Sequence, residues 1–120
     1  MKVLLVDDEQ KFALMLAKRL SLRGFQTDVF FAGEQALKAI DEEGRRYAVG
    51  LLDVKMPGIG GIELGRRIKA LDPAMKIVFL TGHGSDMDYQ VGASEADGYL
   101  PKPMKIEDLI DTLNRLKDEG

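Results

Sequence analysis

Cysteine is absent from the 120 residues. That excludes disulfides, thiolate zinc sites and cysteine nucleophiles. Long apolar runs are absent too, and none approaches the roughly 20 residues that a membrane-spanning helix needs. There is no basic block: 17 Lys and Arg stand against 20 Asp and Glu, for a net charge of −3. Clustered positive charge is the usual footprint of nucleic-acid binding, so neither nucleic-acid nor membrane binding by this domain is expected. The chain also lacks linkers, repeats and low-complexity tracts. Its one histidine, His83, lies between Gly82 and Gly84. A lone loop histidine reads as a surface group, not as a phosphotransfer histidine on a helical bundle. Met1-Lys2 leads almost directly into a strand, so no signal peptide is expected and a cytoplasmic location follows.

What is present is an ordinary globular composition, 45% hydrophobic and 31% charged, of a size for one domain. Strand-like runs alternate with segments of helical period, which predicts βαβ units and a parallel sheet. A first helix is expected over about 10–22, with Phe12, Leu16 and Leu20 inward and Gly24 ending it. Phe25 to Phe30 reads as a strand near an edge. Gly33 to Glu43 reads as a second helix, with Ala36, Leu37 and Ile40 inward and Gly44 closing it. Pro57 to Gly61 form a loop without the lysine and serine of a phosphate-binding P-loop. A third helix runs from about Ile62 to Leu71, stopped by Asp72-Pro73. A weak helix is expected from Ser85, with Met87 and Val91 inward and Gly92 interrupting. The last helix is the clearest, with Ile106, Leu109, Ile110, Leu113 and Leu116 in one stripe. Its Glu107 and Asp108 at the start and its Arg115 and Lys117 at the end complement the macrodipole. The sum is a single (βα)5 domain, and the scattered methionines read as core fillers.

The chemistry sits where the strands end. Val3–Val6 leads into Asp7-Asp8, Val49–Leu52 into Asp53, Ile77–Leu80 into Thr81, and Tyr99-Leu100 into the segment with Lys102. In an open parallel sheet, ligands bind outside the carboxyl ends of the strands. Three carboxylates gathered there repel one another and raise each other's pKa. A hard divalent cation with oxygen ligands removes that conflict. An aspartate can act as a nucleophile towards phosphorus, while an ammonium and a hydroxyl donor stabilise the phosphoryl oxygens. Each residue also has a plainer reading. Asp7-Asp8 could cap a helix, Asp53 could sit in a turn, and Thr81 could be a strand-end hydroxyl. Lys102 could be a solvated charge, and Tyr99 a half-buried strand residue with a wet hydroxyl.

Taken in order, Asp7-Asp8, Leu51-Leu52-Asp53-Val54-Lys55-Met56-Pro57-Gly58, Leu80-Thr81-Gly82 and Asp97-Gly98-Tyr99-Leu100-Pro101-Lys102-Pro103 resemble a two-component response-regulator receiver domain. The resemblance covers essentially the whole chain. It implies a chemotaxis-Y-like, flavodoxin-like fold with a doubly wound five-stranded parallel sheet in the order 2-1-3-4-5. It implies one receiver domain over residues 1–120, with no effector domain. By the same resemblance, Asp53 accepts the phosphoryl group. Asp8 binds Mg²⁺ directly and Asp7 largely through water, with the Lys55 carbonyl completing the ligands; Mn²⁺ can substitute. Thr81 and Lys102 hold phosphoryl oxygens, Thr81 and Tyr99 form the switch, and the Lys102–Pro103 bond is cis. Lys55 and His83 tune the lifetime of the phosphoryl group.

A histidine kinase or phosphotransfer protein is the implied donor. The implied output is an unknown partner or an effector domain. A homodimer through the weak helix, the fifth strand and the last helix is a further expectation. One departure is visible. Glu95-Ala96 stands where receivers commonly have Gly-Ala, so the weak helix is expected to be short or shifted. The module is expected to catalyse only its own phosphorylation and dephosphorylation. Two other functions fit less well. A haloacid-dehalogenase-type phosphohydrolase needs an aspartate where Lys55 stands, and a phosphorylation-independent interaction module would not need the full set of site residues.

Overall fold

Short runs of branched and aliphatic residues form the strands, and amphipathic segments form the helices that cover them. The computed structural model describes residues 1–82 and 96–119. The elements run β1 (Lys2–Val6), α1 (Gln10–Ser21), β2 (Gln26–Phe30), α2 (Gly33–Asp41) and β3 (Val49–Asp53). They continue with α3 (Gly61–Leu71), β4 (Lys76–Thr81), β5 (Gly98–Pro101) and α4 (Ile106–Glu119). The weak helix expected from Ser85, with Met87, Val91, Gly92 and Glu95, lies outside the described residues, as does His83. No described helix is long and apolar enough to cross a membrane.

All strand pairs are parallel, in the order β2-β1-β3-β4-β5. β1, β3 and β4 are buried along nearly their whole length. That is why they read as continuous apolar runs rather than alternating ones. β2 is half-buried, as an edge strand should be. Alternate residues point to opposite faces, and the core divides accordingly. Val3, Leu5, Val49, Leu51, Val78, Leu80 and Leu100 pack with Leu16 and Leu20 of α1 and Leu109, Leu113 and Leu116 of α4. Leu4, Val6, Leu52, Ile77 and Phe79 pack with Ala36 and Ile40 of α2 and Leu64 and Ile68 of α3.

Burial is graded within the two layers. Phe12 packs against the α1–α4 layer as expected, from a half-buried position with Lys102 over its ring. Leu37 is half-buried at the margin of its layer. Met15 is 45% exposed on α1 and fills no gap, whereas Met75 is buried. Gly24 follows α1 with φ +86°, the left-handed conformation expected of it.

One glycine positions the site. The Gly61 N–H donates to the Val54 carbonyl at 2.9 Å, so the start of α3 lies directly on the end of β3. A Cβ at Gly61 would collide with the Asp53 carbonyl oxygen and crowd the Val54 Cα. Both are backbone atoms and cannot rotate away. Gly61→Ala is therefore expected to destabilise the protein by about 1–3 kcal/mol, the range for overpacking a close-packed contact. A lowered urea midpoint with an unchanged slope is the expected observation, and an unchanged midpoint would contradict the close approach.

Candidate functional site

The register of the sheet assembles the site. Val6 pairs with Leu52, Asp53 with Leu80, and Thr81 with Pro101. One step further along each strand therefore brings Asp7, Asp53, Thr81 and Lys102 to one edge. The pleat then sorts them. Asp7, Asp53 and Lys102 continue the parity of Leu5, Leu51 and Leu100, which all face the α1–α4 layer. Thr81 continues the parity of Phe79, on the other face.

Asp7 is fully buried, and Asp53 is 5% exposed. Oxygen atoms of Asp7, Asp8 and Asp53 lie within 4.8 Å of one another, with Asp8 on the exposed side. The Lys102 ammonium donates to Asp7 Oδ2 at 2.9 Å and to Glu9 Oε1 at 2.7 Å, and sits 3.6 Å from Asp53 Oδ1. It lies 4.7 Å from the centroid of the Phe12 ring, close enough for a cation–π contact. A cleft of about 400 Å³ opens beside it, lined by Glu9, Phe12, Gly82, Lys102 and Pro103. The Lys102–Pro103 peptide bond is cis.

Electrostatics follow from this packing. Burial and then the neighbouring Asp7 push the Asp53 carboxyl up to about 7, with Asp8 adding to the rise and Lys102 opposing it. Burial disfavours the Lys102 ammonium, but its hydrogen bonds to Glu9 and Asp7 outweigh that and hold its pKa above the usual value. One cation therefore faces more negative charge than it can neutralise.

The remaining predicted residues are placed as follows. Thr81 ends β4, and its hydroxyl donates to the Gly82 carbonyl at 3.1 Å. Tyr99 lies on β5 with its ring edge-to-face on Phe79, centroids 6.3 Å apart. Its hydroxyl oxygen is buried, not wet as its place on a short strand suggests. Lys55 is exposed in the loop after β3. Asp7 does not cap α1. The N-terminal cap position is Glu9, and no side chain satisfies it. Asp7 Oδ1 instead accepts the Glu9 N–H at 2.9 Å, a local turn that fixes the carboxylate. Glu9 and Phe12 are site residues that the motifs did not single out. Glu9 continues the acidic run, and Phe12 lies one helical turn beyond Asp8, so their signal was proximity alone.

Comparison with known proteins is consistent with this geometry. A family model described as "Response regulator receiver domain" matches residues 3–114. The uncharacterized transcriptional regulatory protein YkoG of Bacillus subtilis is 35% identical over 109 residues, which cover 90% of this chain and 47% of that one. The transcriptional regulatory protein CpxR of Escherichia coli is 38% identical over 112 residues, covering 91% and 46%. A response regulator receiver domain protein from Clostridium thermocellum has a TM-score of 0.89 at 28% identity, covering 98% of this chain and 94% of that one. The chain belongs to the response-regulator receiver-domain family, the phosphorylation-signalling modules of two-component systems. It spans about half the length of the curated relatives it matches.

The Asp53 carboxyl gives a pH test. Its pKa in the folded protein lies above the ordinary value of 3.8. The native state therefore holds a proton that the unfolded chain releases, and burying the ionised form costs stability progressively as pH rises from 3.8 to about 7. Asp53→Asn removes that cost. In metal-free buffer the variant is expected to melt above wild type, with a larger gain near about pH 8 than near about pH 5. Equal gains at both pH values would show that Asp53 does not titrate in this range.

Proposed function

We propose that Asp53 accepts a phosphoryl group from a histidine kinase or phosphotransfer protein. The observation that carries this reading is a buried aspartate, crowded by Asp7 and Asp8, with the Lys102 ammonium 3.6 Å from its Oδ1. An Asp53 oxygen forms a bond to phosphorus as the phosphorus–nitrogen bond of the donor breaks. The electron pair leaves on the imidazole nitrogen, which takes up a proton. Lys102 provides charge for one phosphoryl oxygen and Thr81 a hydroxyl for another.

Receiver domains generally bind Mg²⁺ through an acidic cluster, and the donor set here fits such an ion. Three carboxylates crowd one ammonium, and Asp53 is raised to about 7 by burial first and by the charge of Asp7 next, with Lys102 only partly opposing them. Asp7, Asp8 and Asp53 would hold the ion, with the Lys55 backbone carbonyl. When bound, it supplies the positive charge that keeps Asp53 ionised and offsets the charge of the phosphoryl oxygens. The protein's own residues set the reaction geometry. Asp7 is held by the Glu9 N–H, and Asp53 is fixed by the strand and by α3 packed on its carbonyl.

In this reading the module turns over no external substrate. It catalyses its own phosphorylation and dephosphorylation and changes a surface read by a partner. The relatives are transcriptional regulators, so the output is control of transcription through a region or partner beyond these residues. A cytoplasmic location is part of the same reading.

Acetyl phosphate with Mg²⁺ is expected to add one acid-stable, base-labile phosphoryl group, and Asp53→Asn to lose at least about tenfold in labelling rate. Labelling of the Asn variant at the wild-type rate would refute Asp53 as the acceptor. Mg²⁺ is expected to raise the melting temperature of the wild type, since a ligand bound to the folded state stabilises it. The same rise in a protein with both Asp8→Ala and Asp53→Asn would locate the ion elsewhere.

A further inference from the structure

Several carboxylates contend for one ammonium in this site, and the one that holds it closest belongs to no motif. Lys102 Nζ is 2.7 Å from Glu9 Oε1, 2.9 Å from Asp7 Oδ2 and 3.6 Å from Asp53 Oδ1. A lysine ammonium has three N–H donors. Two are committed to Glu9 and Asp7, and Asp53 lies just beyond hydrogen-bonding distance. Lys102 is thus drawn towards the α1 side of the site, over the Phe12 ring and away from the proposed acceptor.

The two holding carboxylates differ in freedom. The Asp7 side chain is fully buried, and its second oxygen is occupied by the Glu9 N–H. The Glu9 side chain is 64% exposed. Its backbone is anchored by that same bond to Asp7, but its carboxylate can swing into water. An ion pair with one member largely in solvent is weak enough to exchange.

We propose that Glu9 is a latch on Lys102: a positioning residue that holds the ammonium back from Asp53 in the resting protein and gives it up when a phosphoryl group arrives. This rests on the reading of Asp53 as the phospho-acceptor. The Glu9 contact stabilises the resting arrangement and is lost in the phosphorylated one. The latch therefore opposes phosphorylation by the free energy of that contact. The arm length matters. Glutamate at position 9 reaches the ammonium, and aspartate in its place would fall short by one methylene.

Beryllofluoride, a phosphoryl mimic, tests this when titrated at saturating Mg²⁺. Glu9→Gln is expected to bind it about twofold to fivefold more tightly than wild type, the range for a half-exposed ion pair. Glu9→Asp is expected to shift in the same direction. In a Lys102→Ala background the Glu9→Gln change is expected to have no effect, because its target is gone. Metal-free thermal unfolding supplies a second readout: Glu9 and Lys102 should show favourable coupling in a double-mutant cycle. Unchanged or weaker mimic binding by Glu9→Gln overturns the latch. An undiminished effect in the Lys102→Ala background also overturns it, since Glu9 would then act only as nearby negative charge. So does a matching loss of Mg²⁺ affinity, which would assign Glu9 to the cation. None of these results touches the acceptor assignment, which stands or falls on labelling of Asp53→Asn.

Discussion

A single ammonium set among buried carboxylates is the interaction on which the site depends. Asp7 and Asp53 are the buried charged residues among those described. Isolated charges in such a place would be very costly to fold around. Lys102 makes the arrangement tolerable without making it comfortable. Its contacts to Asp7 and Glu9 are short and its contact to Asp53 is long. The site is left with an electrostatic deficit that favours any added positive charge, and the rest of the fold keeps that deficit in place. The groups that burden the resting fold are those to which the proposed chemistry is assigned, a trade of stability for function.

Delivery of these groups relies on two rules of parallel sheets. Register brings strand ends level, and the pleat assigns each side chain to a face. Asp7, Asp53 and Lys102 share a face because they share parity with Leu5, Leu51 and Leu100. At the opposite end of the sheet, charge serves structure instead. Asp28 accepts the Tyr47 hydroxyl at 2.6 Å and pairs with Lys2 and Arg45. Asp97 accepts the Ile77 N–H at 2.8 Å and meets Lys69 at 3.1 Å, fixing the start of β5 on β4. There each carboxylate has enough partners, and burial is partial.

Much of this was legible in the sequence. Doubly buried strands leave continuous apolar runs, so β1, β3 and β4 and the residues at their ends could be placed from the chain alone. The stripe of α4 was equally plain, because Leu109, Leu113 and Leu116 recur at helical spacing. The sheet order came from the family resemblance, since no local pattern specifies which strands become neighbours. The roles of Glu9 and Phe12 at the site escaped because they arise from where Lys102 arrives, 93 residues beyond Glu9 along the chain. The capping role open to Asp7-Asp8 fell to a different geometry, in which the carboxylate turns back on Glu9 N–H. Tyr99 has its hydroxyl inside because its parity sends it into the layer of Phe79. Periodicity assigns a face, but not how deeply a long side chain reaches.

The Lys102 N–H donates to the Thr81 carbonyl at 2.6 Å, while Thr81 and Pro101 are already paired across the β4–β5 ladder. The backbone under the threonine is therefore clamped to the same segment that carries the lysine. If Thr81 serves the phosphoryl group as proposed, its hydroxyl would turn from Gly82 towards the aspartates without sliding of the strand. That would need rotation about one bond, Cα–Cβ, and a β-branched side chain has few staggered positions in which to stop. The hydroxyl would then act as a toggle with discrete settings, on the fast timescale of side-chain rotation. Whatever slower rearrangement accompanies signalling would have to be paced by groups other than Thr81.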